Sequence, residues 1–302
     1  MDELRIRVFG GLEVRSGDTL LPRFPTHSSR SLFAFLVRNR SRPFHRDVLC
    51  GRFWGERPDV EARKLLRTAL WRIRSVIEPD ETDRGTLLRV EGPSVGFTSD
   101  ARVWVDAEEF DQCLTALGGR DAGGLSELDA DRLLRAASLY RGDLLEGNYD
   151  EWCLLERERL EQRFLTALER LVSYHQSRHQ WLETITWCRE ILRRDPLREH
   201  VHRAIMRSHR AMGDRPLALR QYEVLCEVLA EELGIEPMEE TRRLHRSLRG
   251  DQETEEGAGT EVRTPPQDSE RGDLISSQVD EALEVVYALA GQLERARTAL
   301  RS

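Results

Sequence analysis

Residues 59–77 read DVEARKLLRTALWRIRSVI, and their apolar spacing predicts one helix with two distinct faces. The apolar face, which we expect to pack on the domain core, holds Ala62, Leu65, Leu66, Ala69, Leu70, Ile73, Val76 and Ile77. The opposite face holds Arg63, Lys64, Arg67, Thr68, Trp71, Arg72 and Arg74. This polar face has no acidic residue between Glu61 and Glu78, and it presents an indole ring to solvent. A contact with a polyanion therefore explains the face better than a solvated surface laced with salt bridges.

The segments around this helix predict a winged helix-turn-helix domain with an N-terminal sheet. Residues 4–9 alternate apolar and charged side chains, and three short strands are expected before about residue 24. Helices are predicted near 28–39 and 45–53, and a β-hairpin is predicted over residues 87–98, with Gly92 and Pro93 at its bend. In this order, helix 59–77 is the recognition helix, which enters the major groove of DNA.

Three further residues lie where such a domain touches the DNA backbone. His45 and Arg46 are expected at the start of the helix before the recognition helix, and Arg89 lies in the hairpin. Taken alone, each of the three positions favours an ordinary surface residue over a DNA contact. The sequence leaves open which of the predicted residues reads a base and which holds a phosphate.

In the remaining chain, the pattern of apolar residues predicts helices from about residue 105 to about 248. Positions 171, 172, 175, 184, 188 and 191 recur 34 residues later with similar residues, and 34 residues is the tetratricopeptide (TPR) period. The fold class is therefore mainly α with a small β part, with a winged helix-turn-helix followed by a TPR-like repeat domain. We expect domains at 1–104 and 105–248, a disordered linker at 249–275, and a C-terminal amphipathic helix at 276–302 whose a/d spacing covers about three heptads.

The charge of the chain is divided unevenly along its length. Residues 1–77 hold 16 Lys+Arg and 8 Asp+Glu, whereas residues 78–302 hold 30 and 46. A basic head on an acidic body favours a polyanion partner for the head. No stretch approaches the ~18 apolar residues of a membrane span, and residues 1–5 lack the start of a signal peptide. We therefore expect a cytoplasmic protein without membrane contact.

Catalytic and metal-binding signatures are missing from the sequence. The five cysteines form no CxxC pair, Lys64 is the only lysine, and the phosphate-loop, dinucleotide-binding and nucleophile-elbow motifs do not occur. His175 and His179 are four residues apart and are a conceivable metal pair, but the repeat makes His175 a packing position. We predict no enzyme activity, no catalytic residue, no metal and no cofactor.

Several stretches resemble the SARP-like family of bacterial transcriptional activators. Residues 59–77 resemble the recognition helix of that family, and WVDAEEF (104–110) and YRGDLLEG (140–147) resemble its bacterial transcriptional activator domain. The stretches EWCLLERERLE (151–161), DPLREHVHRAIMRSHRAMGD (195–214), ALRQYEVLCEVLAEELGIEP (218–237) and ETRRLH (240–245) are also similar to that domain.

The resemblance implies a winged-helix effector domain, a TPR-like activator domain and binding to promoter DNA. By position, the polar face of helix 59–77 takes the role of the recognition helix. The wing departs from the family pattern, because Val95-Gly96-Phe97 stands where a Gly-Tyr pair is usual. The resemblance implies double-stranded promoter DNA and RNA polymerase holoenzyme as partners, and a homodimer as a possible assembly.

Two hypotheses of different classes follow. The first is a sequence-specific DNA-binding regulator that activates transcription by recruiting RNA polymerase. The second is a TPR-like adaptor that binds a protein or a ligand and has no specific affinity for DNA. A salt titration with random duplex DNA separates them, because only the regulator gives a steep negative slope.

Overall fold

The computed structural model describes residues 3–80, 84–98, 101–118 and 124–255. The contacts divide the chain into two compact units, residues 1–250 and 251–302. The architecture below belongs to the first unit, apart from residues 251–255 at the end of the last helix. The predicted C-terminal helix at 276–302 and most of the predicted linker lie outside the described residues.

A four-stranded sheet opens the fold. Its strands are β1 (Leu4–Arg7), β2 (Glu13–Ser16), β3 (Thr19–Leu20) and β7 (Val103–Val105), in the order β3-β2-β1-β7. The first three confirm the prediction from alternating side chains. Strand β7 was not predicted; it runs parallel to β1, with Leu4 opposite Val103, so the end of the winged-helix segment returns to the first strand of the chain.

Three helices and a small sheet form the winged helix-turn-helix. The helices are α1 (His27–Arg38), α2 (Arg46–Trp54) and α3 (Asp59–Ile77). The wing is the hairpin of β5 (Leu88–Glu91) and β6 (Ser94–Phe97), and β4 (Phe44–His45) pairs with β6. Thr26 begins α1 with a capping box formed with Ser29. We call residues 3–104 the head.

Seven helices follow, and we call residues 105–250 the body. They are α4 (Asp106–Thr115), α5 (Glu127–Leu139), α6 (Glu151–Ser177), α7 (Trp181–Arg194), α8 (Glu199–Ala211), α9 (Arg215–Leu233) and α10 (Glu239–Glu255). From α4 to α9, each helix packs on the next one in the chain, as the helices of stacked repeats do. Leu171 and Cys188 are buried, and so is Ile205, which lies 34 positions after Leu171. Helix α10 continues to Glu255, whereas the sequence predicts a linker from residue 249.

The head and the body share one continuous core. Buried Asp106, the first residue of α4, accepts hydrogen bonds from the backbone N–H groups of Val8 (2.9 Å), Phe9 (3.2 Å) and Ala107 (2.7 Å). On the other side of the junction, Asn148 Nδ2 and Trp152 Nε1 donate to Ser31 Oγ of α1 at 3.1 and 3.2 Å. Apolar and polar contacts therefore fix the orientation of the head on the body.

Candidate nucleic-acid interface

The exposed face of α3 is a stripe of cations around one indole. Arg63, Lys64 and Arg67 are exposed, and the Trp71 side chain is 64% exposed. Thr68, Arg72 and Arg74 are half-buried, so the solvent-facing part is narrower than the polar face predicted from the sequence.

Two of these side chains have no ionic partner. Within the described residues, neither Lys64 nor Arg67 is in an ion pair with a carboxylate. Arg63 differs, because Asp47 of α2 lies 3.2 Å from it, and both side chains are more than half exposed. An exposed pair of this kind is worth at most about 1 kcal/mol, so a phosphate group readily replaces the carboxylate.

Val60 extends the stripe towards the start of α3, and the sequence reasoning missed it. Its side chain is 84% exposed, the largest exposure among the large apolar residues of the described chain. Val60, Lys64, Arg67 and Trp71 are spaced by four, three and four residues, so they lie along one face of the helix. The face therefore offers apolar contacts as well as cations.

A groove separates α3 from the wing. It has a volume of about 630 Å³, and Arg67, Trp71 and Arg74 line its α3 side. The turn residues Gly92 and Pro93 line the other side, and Gly92 has a φ of 53°, which favours glycine. The wing turn thus stands beside the recognition helix, as the predicted domain requires.

Glu78 ties α3 to the wing. Its carboxylate is buried and accepts hydrogen bonds from the backbone N–H groups of Leu87 (2.7 Å), Leu88 (2.8 Å) and Gly85 (3.1 Å). Arg74 Nη2 donates to the carbonyl of Leu88 at 2.9 Å, and its Nε lies 3.7 Å from Glu78. Arg74 therefore positions the wing against α3. The sequence placed it on the face predicted to contact DNA and gave no sign of this contact with the wing.

Thr68 and Arg72 also make internal hydrogen bonds. Thr68 Oγ1 donates to the carbonyl of Lys64 at 3.0 Å, which leaves its oxygen lone pairs available. Arg72 Nη1 donates to Thr26 Oγ1, the capping residue of α1, over a long 3.4 Å. These contacts place Arg72 on the side of α3 that faces α1, away from the wing.

His45 and Arg46 lie at the junction of β4 and α2. His45 belongs to β4 and caps α2, because its Nδ1 accepts a hydrogen bond from the N–H of Asp47 at 3.3 Å. The backbone N–H of Arg46 donates to the carbonyl of Pro93 at 2.7 Å, which connects the start of α2 to the wing turn. Both side chains are exposed next to the groove.

Arg89 and Gly96 define the wing strands. Arg89 is exposed and pairs with Glu91 at 2.6 Å. A Cβ at Gly96 would meet the Cα of Pro43 at 2.9 Å, so β6 approaches the segment before β4 too closely for any other residue. The unusual Val95-Gly96-Phe97 sequence is therefore compatible with a tight wing sheet.

Two buried cysteines of the body are held in their protonated form. Burial raises the pKa of the Cys188 thiol to about 12 and of the Cys153 thiol to about 11, so both thiols stay protonated. His175 Nδ1 and Gln180 Oε1 are 2.8 Å apart, which makes His175 part of a local hydrogen bond. Among the described residues, no group of three or more His, Cys, Asp or Glu has the arrangement of a metal site. Nor is any described helix long and apolar enough to cross a membrane.

Comparisons with known proteins agree with this architecture. Residues 105–249 match the bacterial transcriptional activator domain. The regulatory protein AfsR of Streptomyces coelicolor is 28% identical over 248 residues, which cover 81% of this chain and 24% of that protein. The transcriptional regulatory protein MoaR1 of Mycobacterium tuberculosis is 26% identical over 258 residues, covering 81% of this chain and 79% of that protein. The chain thus spans about a quarter of the length of AfsR.

A solved structure shares the fold. Mycobacterium tuberculosis EmbR, determined in complex with a low affinity phosphopeptide, superposes with a TM-score of 0.66 at 20% sequence identity, covering 94% of this chain and 72% of that chain. The resemblance noted from the sequence is confirmed by these comparisons. Residues 105–249 are thus a bacterial transcriptional activator domain, and the chain is similar to SARP-like bacterial transcriptional regulators over most of its length.

Proposed function

We propose that this regulator binds promoter DNA sequence-specifically through α3 and activates transcription by helping to recruit RNA polymerase. The observation that carries the proposal is the exposed stripe of Lys64, Arg67 and Trp71, whose two cations have no carboxylate partner within the described chain. Exposed cations without a carboxylate partner attract a polyanion, and the phosphate backbone is the polyanion that fits a winged helix.

The dimensions of the stripe suit the major groove. Val60 to Trp71 covers eleven helical steps, or ~16 Å at ~1.5 Å per residue, which corresponds to about five base pairs. In this arrangement Arg67 lies at the centre and is placed to contact guanine, while Val60 and Trp71 offer apolar surface to thymine methyl groups. Lys64, between Val60 and Arg67 on the same face, and its neighbour Arg63 serve as phosphate contacts, together with His45, Arg46 and Arg89.

The partners of the body follow from the family and stay proposals. The matched domain is described as a bacterial transcriptional activator domain, and AfsR and MoaR1 are both called regulatory proteins. These descriptions support an activating contact with RNA polymerase. A homodimer on two DNA half-sites is the assembly that we propose for the DNA-bound form.

Selection of DNA sites from a random duplex pool tests the proposal directly. The full chain is expected to enrich one sequence motif, and binding to the enriched duplex is expected to weaken steeply as salt rises, since several counterions are released. Arg67→Ala and Trp71→Ala should each lose about 1–3 kcal/mol of binding free energy, or about 5- to 150-fold in affinity. Unfolding curves check that both variants remain folded.

Arg207→Ala is the matched control, because Arg207 is an exposed arginine of α8 without an ion pair within the described residues. It should bind the enriched duplex with wild-type affinity. If no motif is enriched and random duplex is not bound even at low salt, the head is not a DNA reader. The adaptor hypothesis then replaces the regulator hypothesis.

A further inference from the structure

A second cavity lies where the head meets the body, and we call it the junction pocket. Its volume is about 640 Å³. The head contributes residues of α1, α2 and the segment between them, and the body contributes residues of α4 and α6. The pocket is separate from the α3 groove, with which it shares no lining residue.

Two arginines of the head line this pocket without an ionic partner in the described part of the chain. Arg42 and Arg52 are both exposed, and within the described residues neither guanidinium makes an ion pair or a hydrogen bond. Each lies over an aromatic ring instead: the Arg42 guanidinium carbon is 5.0 Å from the centroid of Phe44, and that of Arg52 is 5.2 Å from the centroid of Phe35. The rings hold the two guanidinium groups in place and leave their N–H donors free.

The carboxylates of the pocket are already neutralised by other arginines. Asp111 contacts Arg38, Arg159 and Arg163, the last two at 2.9 and 3.0 Å. Glu156 contacts Arg38 at 2.6 Å and Arg159 at 2.9 Å. Arg42 and Arg52 therefore add positive charge that no acid of the pocket balances.

The body supplies an apolar wall. The Leu155 side chain is 68% exposed, although it lines a pocket, and the buried Trp152 ring lies beside it. Trp152 packs edge-to-face on Phe35 of the head, with centroids 5.3 Å apart. The pocket thus combines free guanidinium groups from the head with apolar surface from the body. Small-molecule sites have this composition, with an apolar lining and a few polar groups that fix orientation, and volumes of about 300–1,000 Å³.

We propose that the junction pocket binds a small anionic ligand, a carboxylate or phosphate ester that carries an apolar or aromatic group. Arg42 and Arg52 hold the anion, and Leu155 and Trp152 cover the apolar part. The ligand contacts the head and the body at once, so it adds to the contacts that already fix their relative orientation. The pocket volume favours a small molecule over a peptide from an acidic protein.

Fluorine NMR of para-fluorophenyl phosphate tests the proposal on the full-length chain. The wild-type protein is expected to broaden the fluorine resonance at millimolar probe, and the neutral para-fluorobenzyl alcohol should give much less broadening. The double variant Arg42→Gln/Arg52→Gln should raise the dissociation constant of the phosphate at least about tenfold, because two charge-assisted hydrogen bonds are lost. A thermal unfolding curve shows that this variant is folded.

One control separates this site from exposed arginines elsewhere on the protein. Arg207→Gln removes an exposed arginine of α8, and this variant should bind the probe as the wild type does. Unchanged binding in the double variant, or equal binding of the neutral probe, overturns the proposal. Tighter binding of a tetraglutamate peptide at the same two arginines also overturns it, because the occupant would then be an acidic protein segment. DNA selection reads α3 and its neighbours at the groove, none of which lines the junction pocket, so failure of the proposed function is recognised independently.

Discussion

Arginine has two different roles in the head, and the position of the nearest carboxylate decides between them. At the junction, Arg38 of α1 is only 13% exposed and contacts Asp111 and Glu156 of the body. On α3, Arg67 is exposed and has no acidic partner in the described part of the chain. The first arginine is committed to holding the fold together, and the second is free to bind an external anion. The number of cations in a segment therefore does not show how many can bind an external anion until the carboxylates near each cation are known.

The largest expected effect is on the junction. Arg38→Ala removes the less exposed of the two arginines that Asp111 and Glu156 share, and with it two charge-assisted hydrogen bonds, so it should lower the free energy of unfolding by about 3 kcal/mol. Arg67→Ala removes an exposed side chain and should change it by no more than about 0.5 kcal/mol. Urea unfolding of both variants checks the comparison. Equal stabilities would show that the junction network contributes no more than a surface charge.

Glu78→Gln tests the buried carboxylate that ties α3 to the wing. The amide keeps one acceptor oxygen but turns an NH₂ group towards backbone donors, so we expect a loss of about 1–3 kcal/mol of stability. Because the wing then loosens beside α3, affinity for a selected duplex should fall about threefold or more. Urea unfolding and fluorescence anisotropy measure the two effects.

Glu91→Gln is the matched control in the same hairpin. Glu91 is exposed and pairs with Arg89, so its replacement should cost no more than about 0.5 kcal/mol of stability. A comparable loss of stability in both variants would contradict the prediction, because the burial of Glu78 would then make no difference.

The smallest expected effect is a pH dependence that comes from the body. Burial lowers the pKa of His202, whose Nε2 lies 3.0 Å from the carbonyl of Pro196 and whose Nδ1 lies 2.7 Å from Gln221 Nε2. The neutral ring satisfies both contacts, since Nε2 donates and Nδ1 accepts. A histidine with a lowered folded-state pKa contributes stability above about pH 6.5, and this contribution is lost as the pH falls towards the lowered value.

Thermal unfolding between pH 7 and 5 measures this contribution. The unfolding temperature of the wild type should fall more steeply with decreasing pH than that of His202→Gln. Burial raises the pKa of Asp106, which acts in the opposite direction because acid protonates a buried carboxylate, so only the difference between variant and wild type is diagnostic. His27→Gln, at an exposed position in α1, should keep the wild-type slope. Parallel curves for all three proteins would remove His202 as the source.

The sequence predicted those parts of the fold that depend on local periodicity. The bounds of α3 and the burial of Leu66 and Ile73 follow from 3.6-residue spacing, and the wing follows from two strands around Gly92 and Pro93. Strand β7 was missed because it is three residues long and its partner, β1, is about 100 residues away. No local pattern carries such a pairing.

The candidate interface was predicted only in part for the same reason. Lys64, Arg67 and Trp71 are exposed as the helical pattern indicates, but the contact between Arg74 and Leu88 depends on where the wing lies. The carboxylate of Glu78 accepts from residues up to ten positions later, and the sequence gives no sign of it. Arg74 and Arg67 lie on the same helix, and they differ in role because only Arg74 contacts the wing. Such contacts between elements cannot be predicted from the helical pattern alone.

The continuous core of head and body has a consequence for the geometry on a promoter. Since Asp106 bonds to the backbone of Val8 and Phe9, and Trp152 bonds to Ser31, the body cannot swing freely once α3 is seated in a groove. Any protein that docks on the body then meets it at one angle around the double helix. In the proposed DNA-bound form, moving the site by about five base pairs would carry the body to the opposite side of the DNA, and moving it by about ten would return it, so the fold would hold the body at one helical phase.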